Sequence, residues 1–159
     1  MRKRLIPSSG ELNPVSEGDW LDLERLAIVE VTSEDTAYPI ESALLPQGSD
    51  RRGWRAAEPG SQLVRIVFDE PQRIRRIRIQ IVESTRERTQ EFVIRWSADA
   101  AVTFHDIVRQ QWHFSAPDAM AEIEDYRVDL SGVKVLELAI TPDVGGRSGL
   151  ASLMELRLA

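Results

Sequence analysis

Two serine–acid clusters are the residues whose spacing first suggests chemistry, Ser33-Glu34-Asp35 and Ser97-Ala98-Asp99. A serine nucleophile needs a base that is itself held by a third group. The base would have to be His105 or His113, the two histidines of the chain. Neither stands in a nucleophile elbow, and the chain has no glycine-rich phosphate loop and no H-E-x-x-H pair. On one extended strand the two imidazoles lie more than about 25 Å apart, so they share a metal only if the strand folds back. Both read as surface histidines. Carboxylates are plentiful, yet spacing marks no pair as acid and base. With no cysteine, disulfides, thiolate zinc sites and cysteine nucleophiles are excluded. These residues predict a protein that is not an enzyme.

Lysine and arginine total 20 against 26 aspartate and glutamate, a net charge of −6 over 159 residues. That balance disfavours nucleic acid and anionic membranes as main partners. The run RIRRIRI, residues 73–79, lacks the interleaved aromatics of a nucleic-acid stripe, and Glu70, Glu83 and Glu87 dilute it. Alternation sends Arg76 and Arg78 to a charged outer sheet face. The opening MRKRLIPSSG has only Leu5 and Ile6 behind its basic cluster before Pro7, which makes no signal-peptide core. No apolar run approaches the length of a membrane span. A soluble, cytoplasmic chain is expected.

Strands must position whatever the chain binds. Residues 1–18, with Pro7, Gly10, Pro14 and Gly18, read as an extended arm, and 19–159 as one domain. Trp20, Leu23 and Leu26 share helical spacing over a short turn, and strand pattern begins at Ala27. Alternating apolar sets then recur: Val64, Ile66 and Phe68; Ile77, Ile79 and Ile81; Phe92, Ile94 and Trp96; Val108, Trp112 and Phe114; Tyr126, Val128 and Leu130; Leu136, Leu138 and Ile140; Met154, Leu156 and Leu158. A two-residue period gives each strand a core side and a wet side. Short strands between Gly, Pro, Asp and Ser clusters predict an antiparallel sandwich or barrel. Ile74 is out of step with Ile77, so either the strand starts after it or a bulge absorbs the shift. Trp54, Phe92, Trp96 and Phe104 read as core. Trp20 reads as a plug for the arm, and Trp112 as either core or a partly exposed stacking surface.

In order, LAIVEVTSED, YPIESALLP, Trp54, VIRWSADAAVTFHDI and LELAITPDVGGRSGLASLMELRL resemble the discoidin or coagulation-factor 5/8 type C family of galactose-binding-like modules. The likeness runs from Leu21 to Leu158. It implies an all-β jelly-roll sandwich of about eight main antiparallel strands whose end loops bind ligand. Asp99-Ala100 stands where the family has Asp-Gly, at a turn position that calls for φ > 0. Family modules hold a structural calcium ion through the Asp of an Asp-Gly pair, backbone carbonyls and a late Glu. Leu45 and Pro46 occupy the positions of that pair and Leu brings no oxygen, while calcium needs six to eight. Asp50 and Glu155 remain as its candidate ligands.

The outline is similar also to family 32 carbohydrate-binding modules. That likeness implies a loop site drawn from Glu34 and Asp35 after the first strand, Arg55 after Trp54, Arg86 and Arg88 between Val82 and Phe92, and Asp143 and Arg147 between Pro142 and Gly149. Fixed charged groups would bond adjacent sugar hydroxyls, with an aromatic ring under the apolar sugar face. The late loop has no aromatic. Two functions follow from the resemblance: a non-catalytic module whose partner is a glycan, or an intracellular protein-interaction module on the same fold. No cofactor is expected beyond the calcium ion.

Overall fold

Apolar side chains at every second position decide which segments become strands, because only one face of each can be covered. The computed structural model describes residues 19–46 and 52–159. Helical turns α1 (Leu23–Leu26) and α2 (Glu41–Leu44) flank β1 (Ala27–Val31). There follow β2 (Trp54–Pro59), β3 (Gln62–Val82), β4 (Arg88–Ser97), β5 (His105–Phe114), β6 (Ala121–Thr141), β7 (Leu150–Leu153) and β8 (Glu155–Leu158). Three alternating sets land wholly inside: Val64, Ile66 and Phe68; Ile77, Ile79 and Ile81; and Leu136, Leu138 and Ile140. Val108, Trp112, Tyr126, Val128 and Leu130 are only partly buried against the core.

All pairings are antiparallel. One sheet runs β1-β3-β6-β4-β5, with β8 also on β3, and β2 and β7 form a separate ribbon. The long strands β3 and β6, 21 residues each, do the work of two. Over Gln62–Val67 β3 lies between β1 and the second half of β6; over Ile77–Gln80 it lies between the first half of β6 and β8. The sheet bends between these halves and closes as a jelly-roll sandwich over the buried apolar side chains.

The bend explains three local features. Register slips between Val67 and Arg76, so Ile74 reaches the core through a bulge. Pro71, which cannot donate to a ladder, sits inside that slip, where no pairing would use its missing N–H. On the opposite strand Gly132 supplies a positive φ of 72° between the pairs of Leu130 and Val133. The expected separate strands before and after Asp69-Glu70-Pro71 are therefore one bent strand.

Arg76 departs from the expected outward face. It is 9% exposed, it donates through Nε to Asp125 Oδ1 at 2.8 Å, and Trp20 lies 5.1 Å from its guanidinium carbon. Trp20 thus covers an ion pair. Towards the other end of β3, Arg65, Glu137 and Arg95 stand directly opposite one another on β3, β6 and β4. The buried Glu137 carboxylate takes Arg65 Nη2 at 3.0 Å on one oxygen and Arg95 on the other. A carboxylate with a guanidinium on each side escapes the penalty of an unpaired buried charge. The late strand also ties back to the start of the domain, since Leu21 N–H donates to the Leu158 carbonyl at 2.7 Å. Residues 1–18, read as an arm, lie outside the described residues.

Trp54 and Phe92 are core residues, at 1% and 0% exposure. Trp96 and Phe104 are half-buried, Trp96 against His105 and Phe104 beneath Arg95. Trp112 is half-buried too, packed on the core edge. His105 and His113 are both exposed.

Candidate functional site at one end of the sandwich

The β2–β7 ribbon frames a cavity of about 410 Å3 with the β3–β4 loop and the segment around Tyr38. Local chemistry fixes each wall. Trp54 pairs with Leu153 and Arg55 with Ser152. The ribbon is tight at Gly53 (φ 73°), where an added Cβ would stand 2.5 Å from the Leu153 carbonyl oxygen. Its first strand is laced to the preceding loop: Asp35 N–H donates to the Arg55 carbonyl at 2.8 Å, and Arg55 N–H to the Tyr38 carbonyl at 3.1 Å. Met154 N–H donates to Gln80 at 2.8 Å, which anchors the ribbon to the end of β3.

Among the residues expected to bind ligand, Arg55, Arg86 and Arg88 line this cavity together. Arg55 lays its guanidinium carbon 4.1 Å from the Tyr38 ring centroid. Arg86 is exposed on the β3–β4 loop, and no described side chain bonds it. Arg88 is different in kind. It is 3% exposed, gives Nε to Glu83 at 2.9 Å and Nη1 to the Pro142 carbonyl at 2.7 Å, and lies over Phe114. Its Nε and Nη1 donors are engaged by the protein, so it braces the loops around the cavity.

Four expected residues are outside the lining. Glu34 accepts from Ile40 N–H at 2.8 Å, and Asp35 accepts from Ala37 N–H at 2.9 Å. Both carboxylates fold the loop that delivers Tyr38. Asp143 accepts from Gly145 N–H at 2.9 Å and pairs with Arg147 at 3.3 Å, so the late loop closes on itself. Tyr38, Arg52 and an apolar wall of Val82, Leu150 and Met154 also line the cavity and were not anticipated. Tyr38 lies in the YPIESALLP segment, but nothing local shows that its ring will meet Arg55.

Beneath the floor is a buried polar chain. Arg88 Nη1 reaches Gln90, whose amide donates to Glu122 Oε1 at 2.8 Å. The second oxygen of Glu122 has no hydrogen-bond partner among the described residues. Burial pushes the Glu122 carboxyl up to about 7; the Gln90 bond opposes this and Glu124 adds to it.

The serine–acid clusters are turn locks. Ser97 Oγ donates to Asp99 Oδ1 at 2.7 Å and accepts from Ala101 N–H, while Asp99 also accepts from Thr103 N–H at 2.8 Å. Those bonds, the Ser97 one foremost, hold the Asp99 carboxyl down at about 2. No imidazole touches either group among these bonds. Ser33 bonds Gln62 and the N–H of Ala57.

The two candidate calcium ligands stand as follows. Glu155 pairs with Arg157 at 3.6 Å, Leu45 supplies no side-chain oxygen, and no group of three or more acidic or imidazole side chains gathers among the described residues. Asp50 lies outside the described residues.

No family model matches the chain, and no curated protein matches it. Solved structures do. A family 32 carbohydrate-binding module of C. perfringens NanJ, in complex with galactose, superposes with a TM-score of 0.58 at 14% identity, over 83% of this chain and 92% of that one. A family 32 module from a family 31 glycoside hydrolase of Clostridium perfringens gives 0.60 at 18% identity, over 87% and 93%. A pectin-binding carbohydrate-binding module gives 0.58 at 18%, over 84% and 90%. The chain therefore has the galactose-binding-like, discoidin-type fold that these modules share.

Proposed function

We propose that this protein is a non-catalytic carbohydrate-binding module and that a glycan docks in the cavity between the β2–β7 ribbon and the β3–β4 loop. One observation carries the reading. Tyr38, Arg55, Arg86 and Leu150, distant in sequence, line one open cavity at one end of a sandwich whose structural neighbours include modules with galactose bound and a pectin binder. The cavity size suits a small sugar segment. Its walls combine donors with apolar surface, which a pyranose ring with a hydroxyl edge and a C–H face can use together. The serine and acidic residues that could have suggested hydrolysis are consumed in turns.

Affinity is modest, because an open polar site loses much of its gain to desolvation and to ordering the Arg86 side chain. The test is calorimetric titration with a panel of mono- and oligosaccharides at millimolar concentration. Binding of at least one glycan, reduced by Arg55→Ala, is the expected result. Silence across the whole panel removes the reading.

A further inference from the structure

We infer that the cavity selects acidic sugars, rings that carry a carboxylate as uronic acids do, over their neutral parents. The inference rests on the glycan-binding reading above and narrows it.

Charge is the first ground. The chain carries a net −6, yet four arginines line this cavity against one carboxylate, Glu83. That carboxylate is already bound to Arg88, which leaves the positive charge of Arg55 and Arg86 uncompensated by the lining. An acidic protein has here built a local field of the opposite sign, and low-dielectric walls focus such a field on an entering ligand.

Donor chemistry is the second. A guanidinium only donates, through a planar fork that matches a carboxylate in a bidentate way. A sugar hydroxyl must both donate and accept, so it uses such a wall less fully. Arg86 has no partner among the described residues, and Arg55 is steadied by its stack on Tyr38.

That stack is the third ground. A neutral sugar commonly rests its C–H face on an exposed ring. Tyr38 is the partly exposed aromatic residue of the lining, and Arg55 covers one face of its ring. Trp54, the other aromatic lining residue, is 1% exposed. What remains for the apolar face is the wall of Val82, Met154 and Leu150, the last 40% exposed. A bare inorganic anion would gain nothing from that wall, whereas a sugar acid uses both walls at once.

The test is titration of the intact protein with oligogalacturonate, oligomannuronate and oligoglucuronate, each beside its neutral parent, with sodium sulfate as a bare anion. At least one uronate should bind about tenfold more tightly than its parent, the size of a charge-assisted bidentate contact. That preference should shrink as salt rises from about 50 mM to about 500 mM, because the Debye length falls from roughly 14 Å to roughly 4 Å and the longer-range part of the attraction is screened. Arg86→Ala should abolish the preference, and Arg86→Lys should not restore it, because an ammonium lacks the fork. Equal or tighter binding of the neutral parents overturns the inference and leaves the glycan-binding reading standing. Sulfate binding as tight as the uronates also overturns it. Absence of binding by every sugar, acidic and neutral, overturns both.

Discussion

Ala100 and Ala101 follow one another in left-handed backbone, at φ 58° and 71°. L-residues other than glycine are strained there by roughly 1–2 kcal/mol. The bonds of Ser97 and Asp99 hold the turn in spite of that. Ala100→Gly should therefore raise stability by about 0.5–1 kcal/mol, once glycine's extra unfolded-state entropy is deducted. Urea unfolding measures it; a loss of stability would show that the turn is not strained. Glu122 gives a second prediction. Its folded-state titration lies at about 7, above the ordinary glutamate value, so between the two the native state holds a proton that the unfolded chain has released. Stability should fall as pH rises through that window and level off above it. Glu122→Gln should flatten the profile and stabilise the protein at pH 8 by on the order of 2 kcal/mol. A variant profile that keeps the wild-type slope would place the titration elsewhere. At this scale the sequence was partly legible. Arg55 and Arg86 were named from the likeness to family 32 modules, and the fold brings both to one cavity. Arg88 looked the same in sequence, and only the packing of Glu83, Pro142 and Phe114 around it reveals a brace.

Strand register carries the site at the next scale. The two-residue rhythm was plain in the long strands β3 to β6, since it depends only on which neighbours are apolar. The continuity of β3 and β6 was not, because Asp69-Glu70-Pro71 and Ser131-Gly132 have the composition of turns and act here as bends within strands. The β2–β7 ribbon was the hardest to read. Its pairing joins residues far apart in the chain, and no local pattern marks Leu150–Leu153 as the partner of Trp54–Pro59. Gly53 is its critical contact. Gly53→Ala combines a left-handed backbone with a clash against Leu153 backbone, so a loss of about 2–4 kcal/mol is expected, together with weaker glycan binding. Unchanged thermal stability would show that the ribbon is not held as described.

The whole molecule brings three remote segments, around Tyr38, Arg86 and Leu150, to one end of a sandwich whose core is closed by two bent strands. Asp143 and Arg147, expected in the same site, bind each other on a neighbouring loop, which shows how little a loop's sequence says about where its charges turn. The most direct measurement is amide chemical-shift mapping as oligosaccharide is added. Shifts confined to Tyr38, Arg55, Ser84–Arg86 and Leu150–Met154 are the predicted result. Shifts centred on another surface, such as the exposed side of β5 around His113, or no shifts with any glycan, would contradict the account.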